Sequence, residues 1–130
     1  MTAEALDPRP RVLVVDDEAP LRELIMVTLG DSFHCQEASD GEDALDQLRE
    51  SPPDLVFLDV MLPGRSGIEV LREMRADPSL RDVAVVVVSA WQAPENVAEA
   101  LESGANGFLP KPFRVEDLES VASDLVERER

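Results

Sequence analysis

The 130-residue chain has the length of one domain with a single hydrophobic core. Its formal net charge of -16 would repel nucleic-acid phosphates, so we expect no direct binding of DNA or RNA by this chain. It contains neither an apolar run near the roughly 20 residues of a membrane span nor the layout of a secretion signal. The one cysteine, Cys35, excludes an internal disulfide and a multi-cysteine metal site, and we expect a cytoplasmic protein without membrane association.

Short apolar runs alternate with stretches of helical periodicity along most of the chain. Residues 1–10 contain Pro8 and Pro10 and are predicted to be a flexible lead-in to one domain spanning residues 11–128. The apolar runs are Val12–Val15, Phe33–Ala38, Leu55–Leu58, Val83–Val88 and Phe108–Leu109. The pattern predicts βαβαβαβαβα, an α/β fold with helices on both faces of a parallel sheet.

The helices between these runs have recognisable starts and stops. The first is predicted over about 19–29, with Pro20 in its first turn and Gly30 after its end. The second follows Asp40, a residue suited to an N-cap, and the fourth begins near Pro94 and ends before Gly104. The residues predicted to face inward are Leu21, Leu24, Ile25, Leu29, Ala44, Leu45, Leu48, Ile68, Leu71, Met74, Val97, Ala98, Leu101, Val115, Leu118, Val121, Ala122 and Leu125.

Strand composition predicts the order of the sheet. The first, third and fourth runs are continuously apolar, as expected for strands buried on both faces. The second run contains His34, Gln36 and Glu37, and the fifth meets Pro110, so both suit edges. The resulting order is 2-1-3-4-5, a doubly wound (βα)5 three-layer sandwich with flavodoxin-like topology. Right-handed crossovers then place a ligand crevice at the carboxyl ends of strands one and three.

Polar side chains follow four of the five predicted strands. Asp16 and Asp17 come after the first strand, Asp59 after the third, Ser89 after the fourth and Lys111 after the fifth. Because the carboxyl ends of parallel strands meet at one edge of the sheet, these five side chains should converge on the crevice.

The converging groups suggest a particular chemistry. Three neighbouring carboxylates repel one another unless a proton or a cation lies between them, and oxygen ligands with open positions suit Mg²⁺ or Mn²⁺. Lys111 and the Ser89 hydroxyl could donate to a phosphoryl group. Asp59, at the end of the central strand, could attack phosphorus and form an acyl phosphate.

Four segments together resemble the receiver domain of two-component response regulators, the CheY-like family. They are VVDDE at 14–18, FLDVMLPGRSG at 57–67, VVSA at 87–90 and GFLPKPF at 107–113, and they span about 100 residues. Each segment is weak evidence alone, but their order and spacing are specific.

The resemblance implies a role for each matched residue. Asp59 would be the phosphoacceptor, taking a phosphoryl group from a phosphohistidine on a sensor histidine kinase or a histidine phosphotransfer protein. Asp17 would bind Mg²⁺ directly and Asp16 largely through water, and Asp59 and the backbone carbonyl of Met61 would complete the metal site. Lys111 would pair with a phosphoryl oxygen.

Two further residues would transmit the change. Ser89, in place of the commoner threonine, would be the switch hydroxyl that moves to the phosphoryl group. Phe108, in place of the commoner tyrosine, would be the aromatic switch that turns inward. The Lys111–Pro112 bond would be cis.

The function implied is a phosphorylation-controlled interaction module. The modified receiver would present an altered surface of fourth helix, fifth strand and fifth helix to a downstream effector or output domain, and a phosphorylation-dependent homodimer is a further implication. The chain would catalyse only its own phosphorylation and dephosphorylation, and would not otherwise be an enzyme.

Other readings stay open at this point. A degenerate receiver acting as a scaffold would lack part of the acid, hydroxyl and lysine set. A Mg²⁺-dependent phosphatase with an aspartyl intermediate would often have a second acid two residues after Asp59, where Met61 stands. A flavin carrier would need a phosphate-binding loop after the first strand, where DDEAP is acidic. The sequence names no kinase, output, oligomeric state or phosphorylation lifetime, and does not distinguish a stand-alone receiver from part of a longer regulator.

Overall fold

Strands and helices alternate strictly in the structure, a computed structural model that describes residues 8–90 and 94–128. The order is β1 (Arg11–Val15), α1 (Ala19–Leu29), β2 (His34–Ala38), α2 (Gly41–Glu50), β3 (Leu55–Asp59), α3 (Gly67–Ala76), β4 (Ala84–Ser89), α4 (Pro94–Glu102), β5 (Gly107–Pro110) and α5 (Val115–Arg128). None of the helices in these residues is both long and apolar enough to cross a membrane.

The start of the domain stays a prediction, because residues 1–7 of the predicted lead-in lie outside the described residues. Two residues of the lead-in do contact the folded part. Arg9 Nη1 donates to the carbonyl of Gly30 at 2.7 Å, and the carbonyl of Pro10 accepts from the amide of His34 at 2.8 Å.

The five strands form one parallel sheet in the order β2-β1-β3-β4-β5, which confirms the predicted fold class. β3 is central, and its last residue, Asp59, lies beside Val88 of β4. The winding reverses between β1 and β3, so the carboxyl ends of these two strands flank the predicted crevice.

Alternate strand residues supply two separate cores, one on each face of the sheet. Leu13 and Val56 belong to the core beneath α2, α3 and α4, whereas Val12 and Phe57 belong to the core beneath α1 and α5. Every residue of β3 is buried because both faces are covered. The continuous apolar strands of the sequence are therefore explained by the two helical layers.

Local sequence sets the starts of the first three helices. The Asp40 side chain accepts from the amide of Asp43 at 2.8 Å, which confirms the predicted N-cap of α2. Ser66 caps α3 in the same way through the amide of Glu69. Pro20 stands in the first turn of α1, where its missing N–H removes no helical hydrogen bond.

Four of the predicted inward-facing residues are exposed in the structure. They are Leu24, Ala98, Leu101 and Val115. In α4 the buried residue is Ala100, so the predicted face of this helix was wrong by part of a turn. The periodicity of apolar residues was ambiguous here because α4 packs through a small side chain and leaves the larger Leu101 outside.

Gly67 brings the start of α3 against the end of β3. Its amide donates to the carbonyl of Val60 at 2.9 Å, and a Cβ atom at this position would lie 2.1 Å from the carbonyl oxygen of Asp59. No flexible side chain could move away to relieve that contact, because the neighbouring atoms belong to the backbone that positions Asp59.

We expect Gly67→Ala to lower the free energy of unfolding by more than about 2 kcal/mol, since the backbone must shift. Gly64→Ala is the matched control. Gly64 has a φ of 75° but nothing within 4 Å of its Cβ position, so only backbone strain of about 1 kcal/mol should result. Urea unfolding of both variants measures the difference, and equal losses would contradict the steric argument.

Candidate functional site

Asp16 is a buried carboxylate at the end of β1, only 2% exposed. Its Oδ1 accepts from the amide of Glu18 at 2.8 Å, which fixes the carboxyl plane across the turn into α1. Its Oδ2 accepts from Lys111 Nζ at 3.0 Å. The first strand and the segment after the fifth strand are thus joined by a charge-assisted hydrogen bond.

Asp59 is the second buried carboxylate, 3% exposed, and is the last residue of β3. Its Oδ1 accepts from the amide of Met61 at 3.1 Å, and its Oδ2 accepts from the same Lys111 Nζ at 3.3 Å. One ammonium therefore lies between the carboxylates of Asp16 and Asp59. The sequence prediction that these three side chains converge is confirmed.

Burial and neighbouring charges shift the pKa values of both Asp59 and Lys111. Burial raises the pKa of the Asp59 carboxyl above its ordinary value, and the Asp16 charge adds to the rise, while the Met61 amide and Lys111 oppose it without cancelling it. Burial alone would lower the pKa of Lys111, but its hydrogen bond to Asp16 and the charges of Asp59 and Asp16 outweigh this and raise it. Lys111 therefore stays protonated at neutral pH.

A cleft of about 510 Å³ opens above Asp59. Its walls include Asp17, Glu18, Met61 and Lys111, with Leu62 and Pro63 on the loop side. Asp17 and Glu18 are exposed, and the Met61 side chain is 53% exposed. The cleft is thus acidic on the β1 side, partly apolar on the β3 side, and open to solvent.

Ser89 and Phe108 lie beside a different, smaller cavity of about 70 Å³. Ser89 is 1% exposed at the end of β4, and Phe108 is half-buried in β5 against the core beneath α2, α3 and α4. Val60, the residue after Asp59, lines this cavity as well as the cleft. The backbone also links the two places, because the amide of Lys111 donates to the carbonyl of Ser89 at 2.9 Å.

Of two further predictions at the site, one is confirmed and one stays a prediction. The Lys111–Pro112 peptide bond is cis, as the resemblance implied. Met61 contacts Asp59 through its backbone amide, whereas the role implied for its carbonyl stays a prediction.

The family model for the response regulator receiver domain matches residues 12–123. The chain belongs to this family. The match includes both buried aspartates, Ser89, Phe108 and Lys111, and it covers nearly all of the receiver described above.

Two curated relatives are substantially similar in sequence. The receiver is 41% identical over 109 residues to the phosphate regulon transcriptional regulatory protein PhoB of Escherichia coli K12, covering 83% of this chain and 48% of that protein. It is 44% identical over 111 residues to the DNA-binding response regulator MtrA of Mycobacterium tuberculosis H37Rv, covering 85% of this chain and 47% of that protein. The chain spans about half the length of the curated relatives it matches.

Solved receiver structures have the same fold. The Francisella response regulator 1452 receiver domain is 29% identical, with a TM-score of 0.88 and coverage of 94% of this chain and 100% of that one. The chemotaxis response regulator CheY4 of Vibrio cholerae is 28% identical, with a TM-score of 0.86 and coverage of 90% and 98%.

The acids of the receiver fit the Mg²⁺ that this family binds. Carboxylate oxygens of Asp16, Asp17 and Glu18 lie within 4.8 Å of one another, close to the separation of about 4.2 Å between opposite ligands of one octahedral Mg²⁺. The donors are all oxygens, which favours Mg²⁺ or Mn²⁺ over zinc. Asp16, Glu18 and Asp59 lie within 4 Å of the Lys111 ammonium, and Asp17 lines the same cleft. A divalent cation would offset this excess of negative charge.

Glu18 is the member of this cluster that sequence reasoning did not single out. Its carboxylate lies 3.8 Å from Lys111 Nζ. The signal was present as three consecutive acids after β1, but a helix start rich in acids has the same appearance in a sequence.

The raised pKa of Asp59 predicts a gain in stability on removing its charge. In the absence of divalent cations we expect Asp59→Asn to raise the free energy of unfolding at neutral pH, by about 1 kcal/mol. A raised folded-state pKa means that stability falls as pH rises from the unfolded-state pKa through the folded-state pKa, so the gain should vanish in acid. Asp124→Asn, which removes an exposed acid on α5, is the control. Denaturant unfolding across this pH range measures the free energies. An Asp59→Asn variant no more stable than the wild type at neutral pH would contradict the prediction.

Proposed function

We propose that Asp59 accepts a phosphoryl group from a phosphohistidine of a sensor histidine kinase or a histidine phosphotransfer protein. The observation that carries this proposal is the buried Asp59 carboxylate at the floor of an open acidic cleft, held between a backbone amide and Lys111. A carboxylate placed only for stability would not be expected beside a second buried carboxylate.

In the proposed transfer a carboxylate oxygen of Asp59 attacks phosphorus as the bond from phosphorus to the histidine nitrogen breaks. The amide of Met61 holds Oδ1, which leaves Oδ2, on the Lys111 side, for attack. Lys111 is protonated and can move from Asp59 to a phosphoryl oxygen while Asp16 retains it. When bound, Mg²⁺ supplies positive charge to the transferring group, and Asp16, Asp17, Asp59 and the Met61 carbonyl would hold it, with Glu18 nearby.

The proposed signal passes from Asp59 to Ser89 and Phe108. Both residues line the cavity of about 70 Å³, together with Asn96 and Glu99 of α4. We propose that the Ser89 hydroxyl moves toward the new phosphoryl oxygens and that Phe108 turns into the space this opens. The surface of α4, β5 and α5 would then change for a downstream effector or output domain.

Charge indicates which partner this surface suits. The exposed acids on its two helices are Glu95, Glu99, Glu102, Glu116, Asp117, Glu119, Asp124 and Glu127. A basic partner surface is complementary to them, whereas a phosphorylation-dependent homodimer through the same helices would need these acids to be offset. DNA binding is named for the relative MtrA, and a DNA-binding output domain is one candidate for the downstream partner. A cytoplasmic location belongs to the same proposal.

Phosphoryl transfer can be followed by intact mass. With Mg²⁺ and a small phosphodonor such as acetyl phosphate, we expect the wild type to gain one phosphoryl group and Asp59→Asn to gain none. Asp17→Asn should reduce the rate by at least about tenfold by weakening metal binding, whereas Asp46→Asn, an exposed acid on α2, should not. A wild type whose mass never increases with a phosphodonor or a phosphohistidine partner would exclude the proposal and favour a scaffold.

Met61 should protect the acyl phosphate from water, because its partly exposed apolar side chain lines the cleft above Asp59. We expect Met61→Asn to lose the phosphoryl group several-fold faster, because an amide could orient an attacking water. Met61→Leu keeps an apolar side chain of similar volume and should retain the lifetime. Decay of the phosphorylated mass measures the rate, and an unchanged rate in Met61→Asn would contradict this role.

A further inference from the structure

Arg75 makes an unusually large set of contacts at the edge of the sheet opposite the cleft. It lies in the last turn of α3. Its guanidinium donates to the carbonyls of Leu80 at 3.4 Å, Arg81 at 2.9 Å and Val83 at 2.8 Å, all in the connection from α3 to β4. One side chain thus organises the whole entry into β4.

The same guanidinium also holds the connection from α4 to β5. Arg75 Nε donates to the carbonyl of Gly104 at 3.0 Å, just after α4 ends, and Nη2 donates to Asn106 Oδ1 at 2.9 Å. The side-chain Oδ1 of Asn106 also accepts from the backbone amide of Val85 at 2.8 Å. The backbone amide of Asn106 donates to the Val85 carbonyl at 2.8 Å. Arg75 and Asn106 therefore join the end of α4 to the starts of β4 and β5.

The close contact with Arg75 requires glycine at position 104. Gly104 has a φ of 111°, which favours glycine, and a Cβ atom would lie 2.7 Å from Arg75 Cγ. The carbonyls that follow a helix also carry partial negative charge, which strengthens a hydrogen bond from a guanidinium. The C-terminal end of α4 is thus fixed by packing and by charge.

The first half of α4 contrasts with this end. Pro94 and Glu95 are exposed, and Asn96 lies over the cavity that Ser89 and Phe108 line, which extends as far as Glu99 in the second half. The buried residue of α4 is Ala100, in its second half. The part of α4 next to the proposed switch therefore has space beneath it and little buried surface, whereas the far end is held by hydrogen bonds.

We propose that Arg75 is a positioning residue that fixes the C-terminal end of α4, so that switching displaces the first half of the helix about this end. The inference rests on the proposed function, because it concerns how the Asp59 signal is shaped. Multiple hydrogen bonds from one planar group resist translation of the chain segments they join. The helix would therefore tilt over the cavity, and its far end and the start of β5 would keep their positions.

Amide hydrogen exchange and amide NMR shifts, with and without Mg²⁺ and beryllofluoride as a phosphoryl mimic, test this arrangement. In the wild type, loading should change the amides of residues 96–98 and of Phe108. The backbone amides of Ser103, Ala105 and Asn106 donate hydrogen bonds to the carbonyls of Glu99, Ala100 and Val85, respectively. Their exchange rates and chemical shifts should change little.

In Arg75→Gln we expect hydrogen exchange at the amides of Ser103, Ala105 and Asn106 to accelerate by at least about tenfold. We also expect the NMR shift changes caused by Mg²⁺ and beryllofluoride to spread to these amides. Exchange at Phe57 in β3 should stay unchanged, since a general loss of stability would accelerate it too. Asn106→Asp keeps the acceptor and should behave as the wild type. Arg72→Gln removes an exposed arginine of the same helix, paired with Glu99 at 3.7 Å, and is the charge-matched control.

The outcomes separate the two proposals. A wild type with no response to beryllofluoride at any amide would overturn the proposed function. A wild type that responds equally at residues 96–98 and at Ser103, Ala105 and Asn106 would overturn the anchor alone. If Arg75→Gln does not fold, Asn106→Leu removes one acceptor from the same network, and a loading response still confined to residues 96–98 and Phe108 in that variant would also overturn the anchor.

Discussion

The shared ammonium of Lys111 is the interaction on which the site depends. Asp16 ends β1, Asp59 ends β3 and Lys111 follows β5, yet one nitrogen lies 3.0 Å from the first carboxylate and 3.3 Å from the second. These distances require the strand order and register of the whole sheet, because a slip of one residue in β3 would turn Asp59 to the other face. The two apolar cores therefore do more than stabilise the fold: they hold three charges in register.

Burying these charges has a cost that the protein leaves partly uncompensated. Asp59 loses hydration and gains only a backbone amide and a shared ammonium, which is why its pKa is raised. The cleft keeps an excess of negative charge, with Asp17 and Glu18 at its rim. A divalent cation bound there would offset this charge. In the proposed transfer, Asp59 and Lys111 would meet the phosphoryl group in fixed positions, and a metal held by the acids of the cleft would supply further positive charge, as preorganised electrostatic catalysis requires.

Sequence reasoning predicted most of this arrangement because buried parallel strands leave a strong pattern. Asp16, Asp59, Ser89 and Lys111 stand directly after apolar runs, and topology alone places such residues on one edge. The faces of α1, α4 and α5 were predicted less well. Leu24, Leu101 and Val115 are apolar yet exposed, and periodicity cannot show which apolar side chains a helix leaves in solvent.

The Arg75 network escaped prediction for a different reason. An arginine in the last turn of a helix has an ordinary role as a cation near the helix end, and nothing in the sequence shows that its partners are carbonyls from two later loops. Long-range hydrogen bonds to backbone atoms leave no residue pattern, unlike the strand ends. Gly104 and Asn106 become informative only once the structure places them against Arg75.

Two parts of the β4–β5 pair are thus assigned opposite tasks. Ser89, at the carboxyl end of β4, and Phe108, the second residue of β5, border a cavity and are the residues proposed to change position. At the amino ends of the two strands, Arg75 and Asn106 connect β4, β5 and α4 through hydrogen bonds that leave little freedom. A small movement at Ser89 can produce a directed change in α4 only if some part of that helix stays in place, because a helix free at both ends would respond by random displacement. A fixed far end converts local rearrangement into a defined tilt, and a defined tilt is what a partner surface can recognise.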